Sequence, residues 1–379
     1  MGKDDRHGLH PHRAQQDLAG LTNGIVADIV TNERLRALDS AEDRFDRKLW
    51  DTLATSGVLS AALPESVGGD GFGILEQCSI LIELGRGVAP VPYLSSIVMA
   101  AGAIAEFGSD AQRSEWAAAA GAGSAILAAA LAEELNDNPA APVTRAERTA
   151  DGWTLRGTKI VVDGAPVADL FLVPAATDRG TVVFLVRADD AGVTVTRQQT
   201  TDFGCTGMVE LADVRVNDDR VLGSVERGTE IVEWIVGRGS VGSSAFQFGV
   251  LDQALKMTAE YARERIQFDR PIGSFQAVAQ RLADGYIDVK GVRLTLWQAA
   301  FRLAEGLPIE GEIETAKFWA SDAGHRVAHT VVHVHGGVGL DEDHPVHRYF
   351  LAAKRQEFLL GSASDQLRRL GAELAATPA

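Results

Sequence analysis

Residues 261–276 read YARERIQFDRPIGSFQ. The residues before and into this stretch, Leu251, Leu255, Met257 and Tyr261, carry the apolar side of a helix. The helix then runs into an Arg-x-x-Phe step, and a Pro-Ile-Gly turn leads on to a second helix. Two readings are open for the corner. Arg265 is a solvated helix-end cation that complements the macrodipole, with Phe268 as ordinary core. Alternatively, the pair forms a clamp for an anion.

Around this corner the chain divides into three blocks. From about residue 228 onward it is helical, with long amphipathic stretches and few breakers. Between about 125 and 222 the period shortens. GWTLRG, TKIVVDG, DLFLVPA, TVVFLVRA, GVTVTRQ and VELADVRV are short β-rich runs separated by turn residues, which predicts an antiparallel sheet or small barrel. From Leu18 to about residue 120 the pattern is helical again, with Phe45, Leu49, Leu53 and Val58 on one stripe. ILEQCSILIELGRG (74–87) continues it, with Gly85 and Gly87 as expected C-cap positions. Helices, then strands, then helices indicate an α+β multidomain chain rather than a βαβ alternation. The expected division is a disordered leader at 1–16, an N-terminal helical domain at 17–123, a middle β domain at 124–224 and a C-terminal helical domain at 225–379.

Composition narrows the function classes. The 379 residues carry a net charge of −16, which repels nucleic-acid phosphates and excludes that partner class. The uncharged run AAAAGAGSAILAAALA is too weakly apolar to span a bilayer, so no membrane partner is expected. The leader lacks an apolar h-region, so no signal peptide is expected. Cys78 and Cys205 match no metal spacing, and a reduced, cytoplasmic setting follows. A metal role for His7, His10 and His12 is not expected. HTVVHVHGGVG offers His329 and His333 four residues apart, with His335 beyond, but no carboxylate or cysteine lies at a matching offset. The expected metal content is none. Gly336, Gly337 and Gly339 do not follow a strand with dinucleotide-fingerprint spacing; they leave a Gly pair where backbone can approach a ligand.

Five segments together make a resemblance specific: LPESVGGDGFGILE (63–76), GRGVAPVPY (85–93), LRGTKIVVDGAPVADLFLVPA (155–175), YARERIQFDRPIGSFQAVAQRLAD (261–284) and VHVHGGVGLDEDHPVHRYFLAAK (332–354). In order and distance they resemble the acyl-CoA dehydrogenase family. The chain is most similar there to the small actinobacterial subunits that pair with a second dehydrogenase chain to oxidise steroid side-chain thioesters. The resemblance implies an N-terminal helical domain, a middle β domain and a C-terminal four-helix bundle that builds a tetramer. It implies FAD, an acyl-CoA substrate and an electron-transfer flavoprotein as electron acceptor. It also implies that Arg265, Gln267 and Phe268 reach across a subunit interface to a neighbour's flavin, the guanidinium fork suiting its pyrophosphate. Gly336 and Gly337 would face the adenosine end, and His333 stands where relatives carry glutamine.

The chain also departs from the family pattern. Removal of an α-proton from a thioester needs a positioned carboxylate. Leu360 occupies one family base position, in EFLLGSAS, and Gly239 occupies the other. The Thr-Glu-Pro step of relatives is replaced by Ala132, Glu133 and Glu134, and the Trp-Ile-Thr run by Val161, Val162 and Asp163. The expectation is a subunit with no catalytic residue of its own, which completes the FAD site of a catalytic partner in a heterotetramer. The alternatives are a self-sufficient homotetramer with Glu357 as a relocated base, and a scaffold or acyl-CoA-binding protein without flavin contact.

Overall fold

In a computed structural model, residues 12–376 are described, apart from 42 and 310. The disorder expected over 1–16 does not hold for 13–16: α1 (Arg13–Ile29) covers them, and Gln15 is buried. His7 and His10 lie outside the described residues, whereas the His12 side chain is 2.9 Å from the Glu76 carboxylate. The chain packs into two compact units. One draws on the described parts of Met1–Asp28, Gly73–Ala89 and Ser240–Ala379, the other on those of Ile29–Phe72 and Pro90–Gly239.

After α1 come α2 (Asn32–Asp39), α3 (Arg47–Thr55) and α4 (Ile74–Arg86). The α3 start is fixed by Asp46, whose carboxylate accepts from Leu49 N at the N-cap. Phe45, Leu49, Leu53 and Val58 are all buried, as their stripe predicts. Helix α4 ends with Gly87 as its C-cap, but Gly85 is not a cap. It lies inside the helix, where a Cβ would come within 2.1 Å of Phe246 O. Gly249 repeats this against Ile82 O at 2.0 Å, so two helix backbones cross in direct contact.

Short helices α5 (Gly102–Phe107), α6 (Asp110–Gln112) and α7 (Ala118–Gly121) lead into the sheet. Its strands are β1 (Leu127–Ala129), β2 (Arg145–Thr149), β3 (Gly152–Asp163), β4 (Leu170–Thr177), β5 (Gly180–Arg187), β6 (Val193–Gln198) and β7 (Thr206–Val216). The order is β1-β4-β2-β3-β7-β6, with β5 also paired to β4. Two expectations change here. GWTLRG and TKIVVDG form one strand, β3, because its partner β7 is long enough to pair along both. The sheet is mixed rather than antiparallel, since β1 and β2 each meet β4 in parallel. Alternation along the strands buries Trp153, Leu155, Phe171, Val173, Phe184, Val209, Leu211 and Val214 in one core. Trp153 meets Phe184 edge-to-face at 5.5 Å.

Besides α1 and α4, the helical unit is built from the later part of α8 (Gly228–Glu264), α9 (Gln276–Ala304), α10 (Glu312–His335), α11 (Val346–Phe358) and α12 (Ala363–Ala376). A two-stranded hairpin, β8 (Ile266–Gln267) with β9 (Arg270–Pro271), separates α8 from α9. None of the described helices is long and apolar enough to cross a membrane.

The core of this unit holds a lysine. Lys317 on α10 is fully buried, and its Nζ donates to Ser321 Oγ and to Gln356 O, each at 2.8 Å. Two acceptors match the two N–H bonds of a neutral amine, one short of what an ammonium needs. Burial pushes the group down to about 7. Between pH 7 and about 10.5 the unfolded chain therefore holds a proton that the folded chain lacks. The folded state is penalised at neutral pH and recovers as pH rises, by about 1.4 kcal/mol per pH unit across that window. Lys317→Met removes the slope. Urea midpoints of the two chains at pH 7.5 and 9.5 should converge or cross toward the wild type. A stability difference independent of pH would show that Lys317 titrates normally.

Candidate functional site

The Arg-x-x-Phe corner is a tight hairpin extending from α8. Arg265 N donates to Tyr261 O at 2.9 Å, continuing the helix, and Ile272 N donates back to Arg265 O at 2.8 Å. Phe268 and Asp269 form the two-residue turn, with φ of 52° and 63°. Both angles suit a type I′ hairpin, which Asn and Gly usually occupy. An aromatic residue there costs on the order of 1 kcal/mol in backbone strain. It gains no burial in return, because Phe268 is 87% exposed. Its ring lies edge-to-face with that of Phe275, with centroids 6.2 Å apart. Arg265 and Gln267 are exposed too. Among the described residues the Arg265 guanidinium makes no ion pair. Gln267 Nε2 donates only to Ile266 O, at 2.8 Å. The helix-end reading thus loses its premise that Phe268 is core.

The glycine pair ends α10. Gly336 has φ 61° and ψ −136°, a conformation that favours glycine. A Cβ at Gly336 or Gly337 would meet no atom within 4 Å, so the backbone faces open space. His333 is exposed one turn earlier, and His329 packs against the edge of Phe350 at 5.3 Å. Among the described residues no three His, Cys, Asp or Glu side chains gather as a metal site. The structure brings the ends of α8 and α10 together through a stack of Tyr261 on His335, with ring centroids 4.4 Å apart. An unpaired cation, a projecting aromatic ring and an open glycine turn fit a ligand that carries a diphosphate and aromatic rings.

The strand residues that would face a flavin ring are arranged differently. Val161 sits in a β3 bulge with φ 50°, and its N–H is taken by Gln198 Oε1 at 2.6 Å. Val162 is buried in the sheet core. Glu133, 6% exposed, pairs with Lys159, 0% exposed, at 2.8 Å. The same carboxylate accepts from Val143 N at 2.5 Å, Thr144 N at 2.8 Å and Asn136 Nδ2 at 2.9 Å. Burial alone would raise this carboxyl, but the hydrogen bonds from Lys159 and Thr144 hold it down at about 2. Glu133 thus closes the 134–143 loop and has no lone pair to spare for a ligand. With Ala132 and Val161 beside it, this wall offers neither the hydroxyl nor the ring that the resemblance expects there. It does not fit an isoalloxazine.

Neither position at which the resemblance expects a base carries an acid. Leu360 lies in a turn with φ 61°, whose carbonyl and that of Gly361 accept from Gln366 Nε2 at 3.1 and 3.3 Å. Gly239 is buried within α8. Glu357, the alternative base, is held by Lys354 Nζ at 2.5 Å and faces His325 Nδ1 at 3.3 Å. Sequence reading did not find the partners of Glu133, the Gln198 contact or the Tyr261–His335 stack. The Glu133–Lys159 pair, the Val161–Gln198 contact and the Tyr261–His335 stack join residues far apart in the chain, where no local pattern signals them.

Residues 14–124, 128–218 and 226–375 match the N-terminal, middle and C-terminal domains of the acyl-CoA dehydrogenases. The chain is similar to acyl-CoA dehydrogenase FadE27 of Mycobacterium tuberculosis, 55% identical over 374 residues, 97% of this chain and 98% of the relative. Among solved structures it superimposes on a chain of the ChsE4–ChsE5 complex from Mycobacterium tuberculosis with a TM-score of 0.94 and 55% identity, covering 98% of this chain and 100% of that one. A chain of the Tcur3481–Tcur3483 steroid ACAD, in its G363A variant, gives a TM-score of 0.90 and 41% identity over 96% of this chain and 98% of that one.

Proposed function

The chain belongs to the acyl-CoA dehydrogenase family, and we propose that within it this chain is the non-catalytic partner of a heterotetramer, completing the FAD site of a second dehydrogenase subunit. One observation carries this reading. The groups suited to a neighbour's cofactor project unpaired from the α8–α9 corner, while the strand wall suited to the chain's own flavin ring is closed by its own side chains. The similarity to chains of two-component complexes supports it. The domain division at 17–123, 124–224 and 225–379 is part of the same reading.

FAD, when bound, supplies the hydride acceptor of an α,β-dehydrogenation. The residues of this chain bind and orient it. Arg265 offers two parallel charged N–H donors to the pyrophosphate, Phe268 covers apolar surface beside it, and Gln267 adds an amide donor. Gly336 and Gly337 admit the adenosine end, with His333 as a further donor. Proton removal from the acyl-CoA falls to the partner, because a leucine at 360 and a glycine at 239 can accept no proton. The substrate class is a steroid side-chain CoA thioester, the electrons pass to an electron-transfer flavoprotein, and the setting is cytoplasmic.

Co-expression tests the reading. The complex should carry about one flavin per pair of chains, and the chain purified alone should be colourless and inactive. A yellow, active homo-oligomer of this chain would overturn it. Glu357→Gln separates the self-sufficient alternative: turnover of the complex should persist, since Lys354 and His325 already engage that carboxylate.

A further inference from the structure

His335 is the last residue of α10, adjacent to the glycine pair, and is only 3% exposed. Its Nδ1 lies 2.8 Å from Val331 O. A carbonyl only accepts, so Nδ1 carries the hydrogen and Nε2 of the neutral ring is bare. That Nε2 is buried and has no partner among the described residues. One face of the ring lies on Tyr261, four residues before Arg265, with planes 24° apart. Tyr261 O in turn accepts from Arg265 N. The stack therefore ties the segment that starts the hairpin to the segment that starts the glycine turn.

We propose that His335 is a positioning residue for the cofactor corner, holding the Arg265–Phe268 hairpin and the Gly336–Gly337 turn in register, and that it does so only as a neutral imidazole. The inference rests on the reading of that corner as a flavin-binding surface. A second proton on the ring would go to Nε2, which is buried from solvent and has no acceptor among the described residues. The surroundings offer it no relief. From α8 the ring meets Tyr261, and the Gly336–Leu340 turn has no ionisable side chain. From the segment beyond it meets His344, at 5.1 Å between centroids. His344 Nδ1 accepts from Val346 N, and Asp341 and His347 act on His344 rather than on His335. Burial holds His335 below the ordinary imidazole range, opposed by its bond to Val331 O, and His344 lowers it further. The folded corner is thus intact at neutral pH, and proton uptake below about pH 6.5 favours the opened state.

The test uses the assembled complex and the chain alone. In the complex, the apparent flavin Kd, read by release of flavin fluorescence, should rise between pH 7.5 and 5.5. The expected rise is up to about tenfold for each pH unit between the buried and free imidazole. His335→Ala should weaken flavin binding at every pH. His335→Phe keeps a ring on Tyr261 without a titrating nitrogen, so it should recover affinity and abolish the pH dependence. A Phe variant that follows the wild-type profile would overturn the proposal. In the chain alone, amide NMR signals of residues 266–269 and 336–337 should move with one shared midpoint on acidification, and stay still in the Phe variant. Separate midpoints, or movement in the Phe variant, would overturn it without reference to flavin. Failure of the heteromeric reading instead shows as a complex that binds no flavin at pH 7.5.

Discussion

Arg265→Ala should lower the flavin affinity of the assembled complex by about 30-fold to a few thousand-fold. That is the equivalent of the 2–5 kcal/mol expected when one member of a desolvated, hydrogen-bonded charge pair is removed from an interface. The size of the effect follows from what the free chain shows. The guanidinium makes no ion pair among the described residues, so its interaction energy is held in reserve for a ligand. Its truncation should leave the stability of the isolated chain close to wild type, since an exposed side chain without partners contributes little. Equilibrium dialysis of flavin against the complex and thermal unfolding of the chain alone give the two readouts. Arg265→Lys should recover only part of the affinity, because an ammonium cannot supply two parallel donors to a diphosphate. Unchanged flavin affinity in the alanine variant would remove the clamp and leave the scaffold alternative in its place.

The second large effect is on folding. Glu133→Ala should destabilise the sheet unit by about 3–5 kcal/mol, the cost of stranding a buried charge. Lys159 would be left fully buried without its 2.8 Å partner, and the N–H groups of Val143 and Thr144 would lose their acceptor. Pairing the change with Lys159→Met should restore much of the loss, because an apolar pair needs no counter-charge. The sign of the pH dependence follows from the carboxyl held at about 2. Its stabilising contribution is complete above the unfolded value near 4.5 and is lost as pH falls through 2. Urea unfolding of wild type and the single variant should therefore differ most near neutral pH and least in strong acid. A single variant as stable as wild type at pH 7 would mean that the 134–143 loop is held by other contacts. Leu135, at the start of that loop, is fully exposed with φ 58°, so the loop has little apolar packing of its own to fall back on.

Much of the architecture was legible before any coordinates. The stripe through Leu49 and Leu53, the β-rich runs from Trp153 to Val216 and the corner between two helices at 265–273 all depend on interactions within about ten residues. Periodicity and turn chemistry report those interactions directly. The site was legible in part. Leu360 and Gly239 are visible as residues that cannot take a proton, and the exposed cation and ring at the corner are visible as types, though not as an unpaired and strained arrangement.

The amino-acid order by itself determined the helix–strand–helix succession and the lack of an acid at the two positions where the resemblance expects a base, because side-chain identity and local period need no distant partner. Tertiary structure alone decided that Gly85 serves a backbone crossing rather than a cap, that β3 is one bulged strand, and that Gln198 occupies the Val161 N–H. It also decided that Glu133 is committed to Lys159 and that Tyr261 lies on His335. These contacts join residues between 26 and 161 positions apart, so each exists only once the packing of the chain has brought its two segments together.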